Sequence, residues 1–165
     1  MKEIKNVSII GMGALGVMYG SHLAHHMGFD HVTYIMDEKR YEKYKGSTVT
    51  CNGEELSFTC VPASQAVPAD LVIVAVKSTG LTEALDTVIL SVMNGISSEE
   101  IIGKRYGAEH MIYAVAQGMD AMKFGAELTY SKMGVLCIGA RLESQQEGLD
   151  RVCCLFDRTE LPYVR

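Results

Sequence analysis

An α/β fold with a doubly wound, mainly parallel sheet is predicted by two stretches of this sequence. Val7-Ser-Ile-Ile10 is an apolar strand that runs directly into Gly11, Gly13 and Gly16, and an uncharged helical run follows. Leu71-Val-Ile-Val-Ala-Val76 is a continuous, mostly β-branched segment, the composition of a strand buried on both faces of a parallel sheet.

The first stretch is G-x-G-x-x-G set between a strand and a helix, the context in which that spacing means dinucleotide binding. Gly11 lets the chain turn tightly off the strand. Gly13 lets the backbone approach a pyrophosphate, and Gly16 lets the helix pack closely on the sheet. A pyrophosphate over Gly11, Met12, Gly13, Ala14, Leu15 and Gly16 would rest on the unpaired N–H groups at the helix N-terminus, where the dipole also favours negative charge. The fold is therefore expected to be of the Rossmann type.

At 165 residues the chain is expected to form one cofactor-binding domain over residues 1–165. With 48% hydrophobic and 21% charged residues it has an ordinary globular composition, and a net charge of -5 argues against a nucleic-acid partner. No run approaches the ~18 apolar residues that a membrane span needs. Lys2 and Lys5 before an apolar run imitate a signal peptide, but glycines at 11, 13, 16 and 20 interrupt it. Cys51, Cys60, Cys137, Cys153 and Cys154 include no C-x-x-C pair, and they read as reduced thiols of a cytoplasmic protein.

Residues 14–27 carry no Asp, Glu, Lys or Arg, so the first helix is expected to be buried on most sides and to stop at Gly28. His22 and His26 share one face, but Leu23 stands where H-E-x-x-H needs its glutamate. The better reading is a histidine patch at the edge of the core, with no metal site. His31–Met36 is the second strand, and Asp37 ends it. An acid there, about 20 residues beyond the last glycine, can accept hydrogen bonds from the adenosine ribose and points to NAD. Lys39 and Arg40 follow at once, and a nearby cation is how such sites hold the extra phosphate of NADP. Both cofactors stay open at this point, as does the plain alternative that Asp37 to Arg40 simply start a solvated helix.

Further along, 48–51 and 56–60 flank Asn52-Gly53 as a hairpin. The strand 71–76 ends at Lys77, and ligands in open α/β sheets bind beyond the carboxyl ends of strands. Thr87–Val92 is the next strand, followed by the Asn94-Gly95 turn and a Ser97/Glu100 capping box that opens a helix. Asn94 thus faces the same crevice as Lys77. A crossover between parallel strands needs a dozen or more residues, and only Lys77 to Asp86 are available, so residues of the natural protein are expected to be missing near Asp86. Met111–Ala116 is another strand. Leu128–Lys132 and Val135–Ile138 are expected to form an antiparallel hairpin near the C-terminal end, with a helix over 144–157 and a short strand at 161–164.

Taken together, Gly11-Met-Gly-Ala-Leu-Gly16, Asp70-Leu-Val-Ile-Val-Ala-Val-Lys77, Asn94-Gly-Ile-Ser-Ser-Glu-Glu100, Gly118-Met-Asp-Ala121 and Leu128-Thr-Tyr-Ser-Lys-Met-Gly134 resemble the N-terminal domain of the ketopantoate reductase family. That resemblance implies reduction of a small 2-keto acid, 2-dehydropantoate, by hydride from NADPH. It implies that residues 11–16 hold the pyrophosphate and that Lys77 and Asn94 contact the nicotinamide ribose and the substrate region. The segment around Ala121 would line the cofactor more loosely. The family commonly carries an arginine at the end of the second strand; here Asp37 takes its place and Lys39 or Arg40 would substitute. The family's general-acid lysine belongs to a C-terminal helical domain that is expected to be absent from residues 1–165, and the resemblance then makes Lys77 the nearest local proton donor. This polypeptide is then expected to be a cofactor-binding half, inactive alone, with a homodimer compatible with the family. Two other readings stand beside it: a nucleotide-sensing module without catalysis, and a related hydroxy-acid dehydrogenase.

Overall fold

A computed structural model describes residues 1–75, 87–93 and 97–165 of the chain. Val76, Lys77, the short connection up to Asp86 and the Asn94-Gly95 turn lie outside the described residues. The main sheet is built around β1 (Val7–Ile10), which pairs in parallel with β2 (Val32–Met36) on one side and with β6 (Leu71–Val74) on the other. Outside β2 lies β5 (Thr59–Pro62), also parallel and at the sheet edge, where Pro62 leaves no ladder bond unmade. Outside β6 come β7 (Val88–Ser91) and β8 (Met111–Gln117), both parallel, and then β11 (Val135–Gly139), which is antiparallel to β8. A two-residue strand, β12 (Tyr163–Val164), closes that edge, giving the order β12-β11-β8-β7-β6-β1-β2-β5.

Alternation along the central strands divides the interior into two layers. Val7 and Ile9, Val32 and Tyr34, and Leu71 and Ile73 point to one face. There they meet α1 (Ala14–Met27) through Val17, Met18 and Leu23, and α4 (Gln146–Arg158) through Leu149, Val152 and Phe156. Ile10, Ile35, Val72, Val74 and Ile89 point to the other face, against Ile102 of α3 (Ser97–Tyr106). Burial on both faces is what the continuous apolar strands require. The doubly wound, mainly parallel sheet is therefore present, with an antiparallel part at its C-terminal side.

The partners in that antiparallel part differ from expectation. Residues 128–132 and 135–138 do not pair with each other. Instead β10 (Glu127–Thr129) runs antiparallel to β9 (Met122–Phe124) and parallel to β3 (Val49–Cys51), while β11 returns to β8. The reason is where the backbone donors go. Tyr130 N–H donates to Asn52 Oδ1 at 2.8 Å, and the N–H groups of Ser131 and Lys132 donate to Asp120 Oδ1 at 2.9 and 2.7 Å. Those amides are taken by side chains, so no ladder forms there.

The hairpin at Asn52-Gly53 is present but shorter than expected. β3 pairs antiparallel with β4 (Glu54–Leu56) across a two-residue turn with φ of +48° and +85°, the primed turn that Asn-Gly favours. Its second arm ends at Leu56, and residues 59–62 leave to become the parallel edge strand β5. The strands β4-β3-β10-β9 make a second, small sheet whose Val49, Cys51 and Leu128 join the same core layer as α1. A further helix, α2 (Glu38–Tyr44), follows Asp37, which is the helix start that the sequence offered as the plain alternative for Asp37 to Arg40.

Two features hold the layers close. α1 lies tightly on the sheet because Gly20 leaves room for the buried Tyr34 ring, whose hydroxyl donates to the Gly16 carbonyl at 2.8 Å. The segment before β1 is tied to distant parts of the chain. Asp70 accepts from the N–H groups of Lys5 and Asn6 at 3.0 and 3.1 Å, Arg151 Nε donates to the Lys2 carbonyl at 2.9 Å, and Arg158 reaches Glu3 and the Ile4 carbonyl.

A Cβ on Gly20 would stand 1.9 Å from Tyr34 Oη and 2.9 Å from Ile9 Cδ1. We expect Gly20→Ala to lower stability by about 1–3 kcal/mol, the usual range for overpacking a filled core. In a Tyr34→Phe background the added methyl should cost measurably less, because the nearest atom is gone. Equilibrium denaturant unfolding of the four proteins of this cycle checks it, and additive costs would contradict the clash.

Candidate functional site

The carboxyl ends of β1 and β2 and the N-termini of α1 and α2 converge on one cleft of about 240 Å³. Ile10 and the glycine turn contribute Gly11, Met12 and Gly13; β2 contributes Ile35 and Met36; α2 and its cap contribute Asp37, Arg40 and Tyr44. The three glycines play separate parts. Gly11 has φ of +113°, a conformation that turns the chain off β1 and that L side chains avoid. A Cβ on Gly16 would fall 1.9 Å from the Gly11 carbonyl oxygen and 3.4 Å from Ala75 Cβ, so Gly16 lets helix, turn and sheet touch. Gly13 is different: its φ of -75° is ordinary, and a Cβ there would meet nothing within 4 Å. Its lack of a side chain opens space in front of the helix and serves no packing.

Gly13 caps α1 with no side-chain hydrogen bond, and the first turn carries no acidic residue. The first ladder bond runs from Val17 N–H to the Gly13 carbonyl at 3.0 Å, so the N–H groups of Ala14, Leu15 and Gly16 precede the ladder. An uncapped helix end with unladdered donors, a positive dipole end and open space before it suits an anion. The cradle fits a dinucleotide pyrophosphate on these grounds.

Asp37 is the N-cap of α2, and its Oδ1 accepts from Arg40 N–H at 2.9 Å. Its other oxygen lies 3.4 Å from Arg40 Nε. Asp37 therefore starts a helix and at the same time holds the Arg40 guanidinium at the cleft. Lys39 is exposed and does not line it. Tyr44 was not singled out from the sequence, although the spacing 37, 40, 44 puts these residues on one helical face; recognising α2 would have exposed that signal. Ala121 lies elsewhere, half-buried in the loop after β8, and the structure does not bring it to the cleft. Lys77 and Asn94 follow β6 and β7 in the sequence and lie outside the described residues.

The loop at Ala121 is braced. Asp120 accepts from the Ser131 hydroxyl and from the N–H groups of Ser131 and Lys132, and its own N–H donates to the Lys132 carbonyl at 3.2 Å. The Ser131 hydroxyl, with the Lys132 N–H next, holds this exposed carboxyl down to about 2 from its ordinary 3.8. The histidines serve structure. His22 Nε2 lies 2.7 Å from the Thr159 carbonyl and its ring packs against His26, and burial lowers its pKa. Among the described residues no group of three or more His, Cys, Asp or Glu side chains is arranged to hold a metal. No helix among them is long and apolar enough to cross a membrane.

A family model described as "Ketopantoate reductase PanE/ApbA" matches residues 7–141. No curated protein matches the chain. Among solved structures, a 2-dehydropantoate 2-reductase from Geobacter metallireducens is similar with a TM-score of 0.76 at 22% identity, covering 96% of this chain and 56% of its own. A D-mandelate dehydrogenase, solved with NADH and anilino(oxo)acetate, is similar with a TM-score of 0.75 at 20% identity, with the same coverage. A dimeric ketopantoate reductase from Staphylococcus aureus gives 0.68 at 21% identity, over 96% of this chain and 54% of its own. The chain thus spans a little over half the length of the structures it resembles.

The Asp120 carboxylate is ionised in the fold and its pKa is depressed, so its contribution to stability is present above about pH 4 and is lost as the pH falls to about 2. Acid unfolding of the wild type and Asp120→Asn should show the wild type more stable at neutral pH, with the gap closing over that window. A gap that stays constant down to pH 2 would remove the carboxylate from this role.

Proposed function

The chain belongs to the ketopantoate reductase family, and from that premise we propose that it is the dinucleotide-binding domain of an NADPH-dependent oxidoreductase. The proposed substrate is a 2-keto acid, with 2-dehydropantoate reduced to pantoate as the foremost reaction, and the enzyme is read as cytoplasmic and homodimeric. The observation that carries the reading is the uncapped, acid-free N-terminus of α1 behind the open side of Gly13.

In this reading Gly11, Met12, Gly13, Ala14, Leu15 and Gly16 hold the pyrophosphate on backbone donors. Arg40, braced by Asp37, meets the 2′-phosphate of the adenosine ribose, and a bidentate guanidinium suits that group. Asp37 thereby serves NADP, although the same residue alone would have suggested NAD. Tyr44 lines the same cleft as Arg40. Lys77, Asn94 and Ala121 are assigned to the nicotinamide and substrate side by their places after β6, β7 and β8. The bound nicotinamide supplies the hydride for the keto carbon. The chain's residues must then orient the carbonyl and deliver a proton to its oxygen, for which Lys77 is the local donor.

A second reading, an NADH-linked 2-hydroxy-acid dehydrogenase, is favoured by one feature: an acid, Asp37, stands at the end of β2 and lines the cleft, the place from which a carboxylate accepts from ribose hydroxyls. Titration with NADPH and NADH side by side, by fluorescence or calorimetry, separates them. We expect NADPH to bind more tightly and Arg40→Ala to remove most of that preference, about tenfold or more for a charge-assisted pair. Tighter NADH binding supports the second reading, and binding of neither overturns both. Gly13→Val should weaken either cofactor by at least about tenfold while costing only about 1 kcal/mol of stability through the poorer cap. Unchanged affinity in that variant would end the pyrophosphate assignment.

A further inference from the structure

We infer that Asp120 is a positioning residue: it fixes the loop 118–121 as a rigid wall beside the nicotinamide end of the cofactor site without itself touching the ligand. The inference rests on the dinucleotide reading above. It starts from the sheet. β6, β7 and β8 continue the parallel array from β1, so their carboxyl ends open on the same edge as Gly11 and Asp37. β8 lies three strands from β1, roughly 14 Å at about 4.8 Å per strand. An extended dinucleotide with its adenosine half at Asp37 and Arg40 and its pyrophosphate on α1 points its other half in that direction.

β8 does not stop where its neighbour does. Its register with β7 places Ile112 opposite Leu90, β7 ends at Ser91, and β8 continues to Gln117 beside β11 alone. At about 3.3 Å per residue the strand rises roughly 13 Å beyond the end of β7 before reaching Gly118. A projecting strand end followed by a loop would ordinarily be the loosest part of such a crevice. Here it is tied down twice. Asp120 takes the N–H groups of Ser131 and Lys132 and the Ser131 hydroxyl, and returns its own N–H to the Lys132 carbonyl. Gly134, at φ of +70°, lets the two segments interpenetrate, since a Cβ there would lie 2.2 Å from the Gln117 carbonyl oxygen and 2.6 Å from Met119 N. Met119 and Ala121, on either side of Asp120, pack inward against the α1 layer. Asp120 itself is exposed, so burial does not account for a carboxylate engaged by three donors. The arrangement holds the backbone around it.

A prearranged wall spares the cofactor the ordering of that loop on binding, and the saving falls on the half of the ligand that meets it. The test uses the full chain as wild type, Asp120→Ala, Asp120→Asn and Ser131→Ala. NADPH affinity is measured beside that of 2′,5′-ADP, a probe that reaches only the Asp37 and Arg40 cleft. We expect Asp120→Ala to weaken NADPH about tenfold and to leave 2′,5′-ADP within about twofold, with Asp120→Asn and Ser131→Ala intermediate. Asp120→Asn keeps the size and one acceptor of the side chain, so the comparison survives if the alanine variant fails to fold. Equal losses for both ligands, or none for NADPH, would overturn the positioning role. If the wild type binds neither ligand, the cofactor reading fails with it; if it binds both and the variants change neither, the Asp120 assignment alone is lost.

Discussion

Everything in this domain depends on how closely α1 lies on β1 and β2. The approach is set by missing atoms. Gly16 leaves no Cβ to strike the Gly11 carbonyl, and Gly20 leaves a slot that the Tyr34 ring fills. The Tyr34 hydroxyl then satisfies the Gly16 carbonyl from inside the core, so the contact is hydrogen-bonded as well as packed. Because the helix is held there, its N-terminus points over the end of β1, and the cleft between Gly13 and Arg40 exists as a consequence. Interiors packed at this density do not yield continuously.

Much of this was legible in the sequence because it rests on local rules. The strand-glycine-helix order located β1, the turn and α1, and the buried apolar runs located β6 and β7. Asn52-Gly53 announced its primed turn through residue types that accept positive φ. The misread parts are those decided at a distance. Residues 128–132 look like one arm of a hairpin, but Asn52 and Asp120 take the amides of Tyr130, Ser131 and Lys132, and nothing near residue 130 in the sequence says so. The end of β4 and the departure of β5 depend on the open edge of β2, which is a property of the whole sheet. At the candidate site the glycines and Asp37 were visible as a motif, whereas Tyr44 needed α2 to be recognised first.

Carboxylates and amides shape the loops more than the ladders do. Asp37 starts α2 and aims Arg40, Asp70 gathers the backbone of Lys5 and Asn6, and Asp120 joins the loop after β8 to the segment before β11, in the gap between the β8–β11 and β9–β10 ladders. Each side chain is short, so each can fix backbone donors with little rotamer freedom to lose. Asn52 adds the same service from a turn, linking the small sheet to the segment that Asp120 binds. Among the described residues, the segments that follow β2 and β8 are thereby fixed by side-chain hydrogen bonds to backbone donors.

The ties on the segment before β1 bear on how the chain assembles as it is made. β1 is synthesised early and sits at the centre of the sheet, yet its flank is fastened by Asp70 and by Arg151 and Arg158 of α4. A strand with partners on both sides, one of them from a later part of the chain, waits for those partners. β1 itself has both pairing partners once β6 is made, whereas the contacts of Lys2, Glu3 and Ile4 wait for α4, so the flank closes later than the strand it precedes.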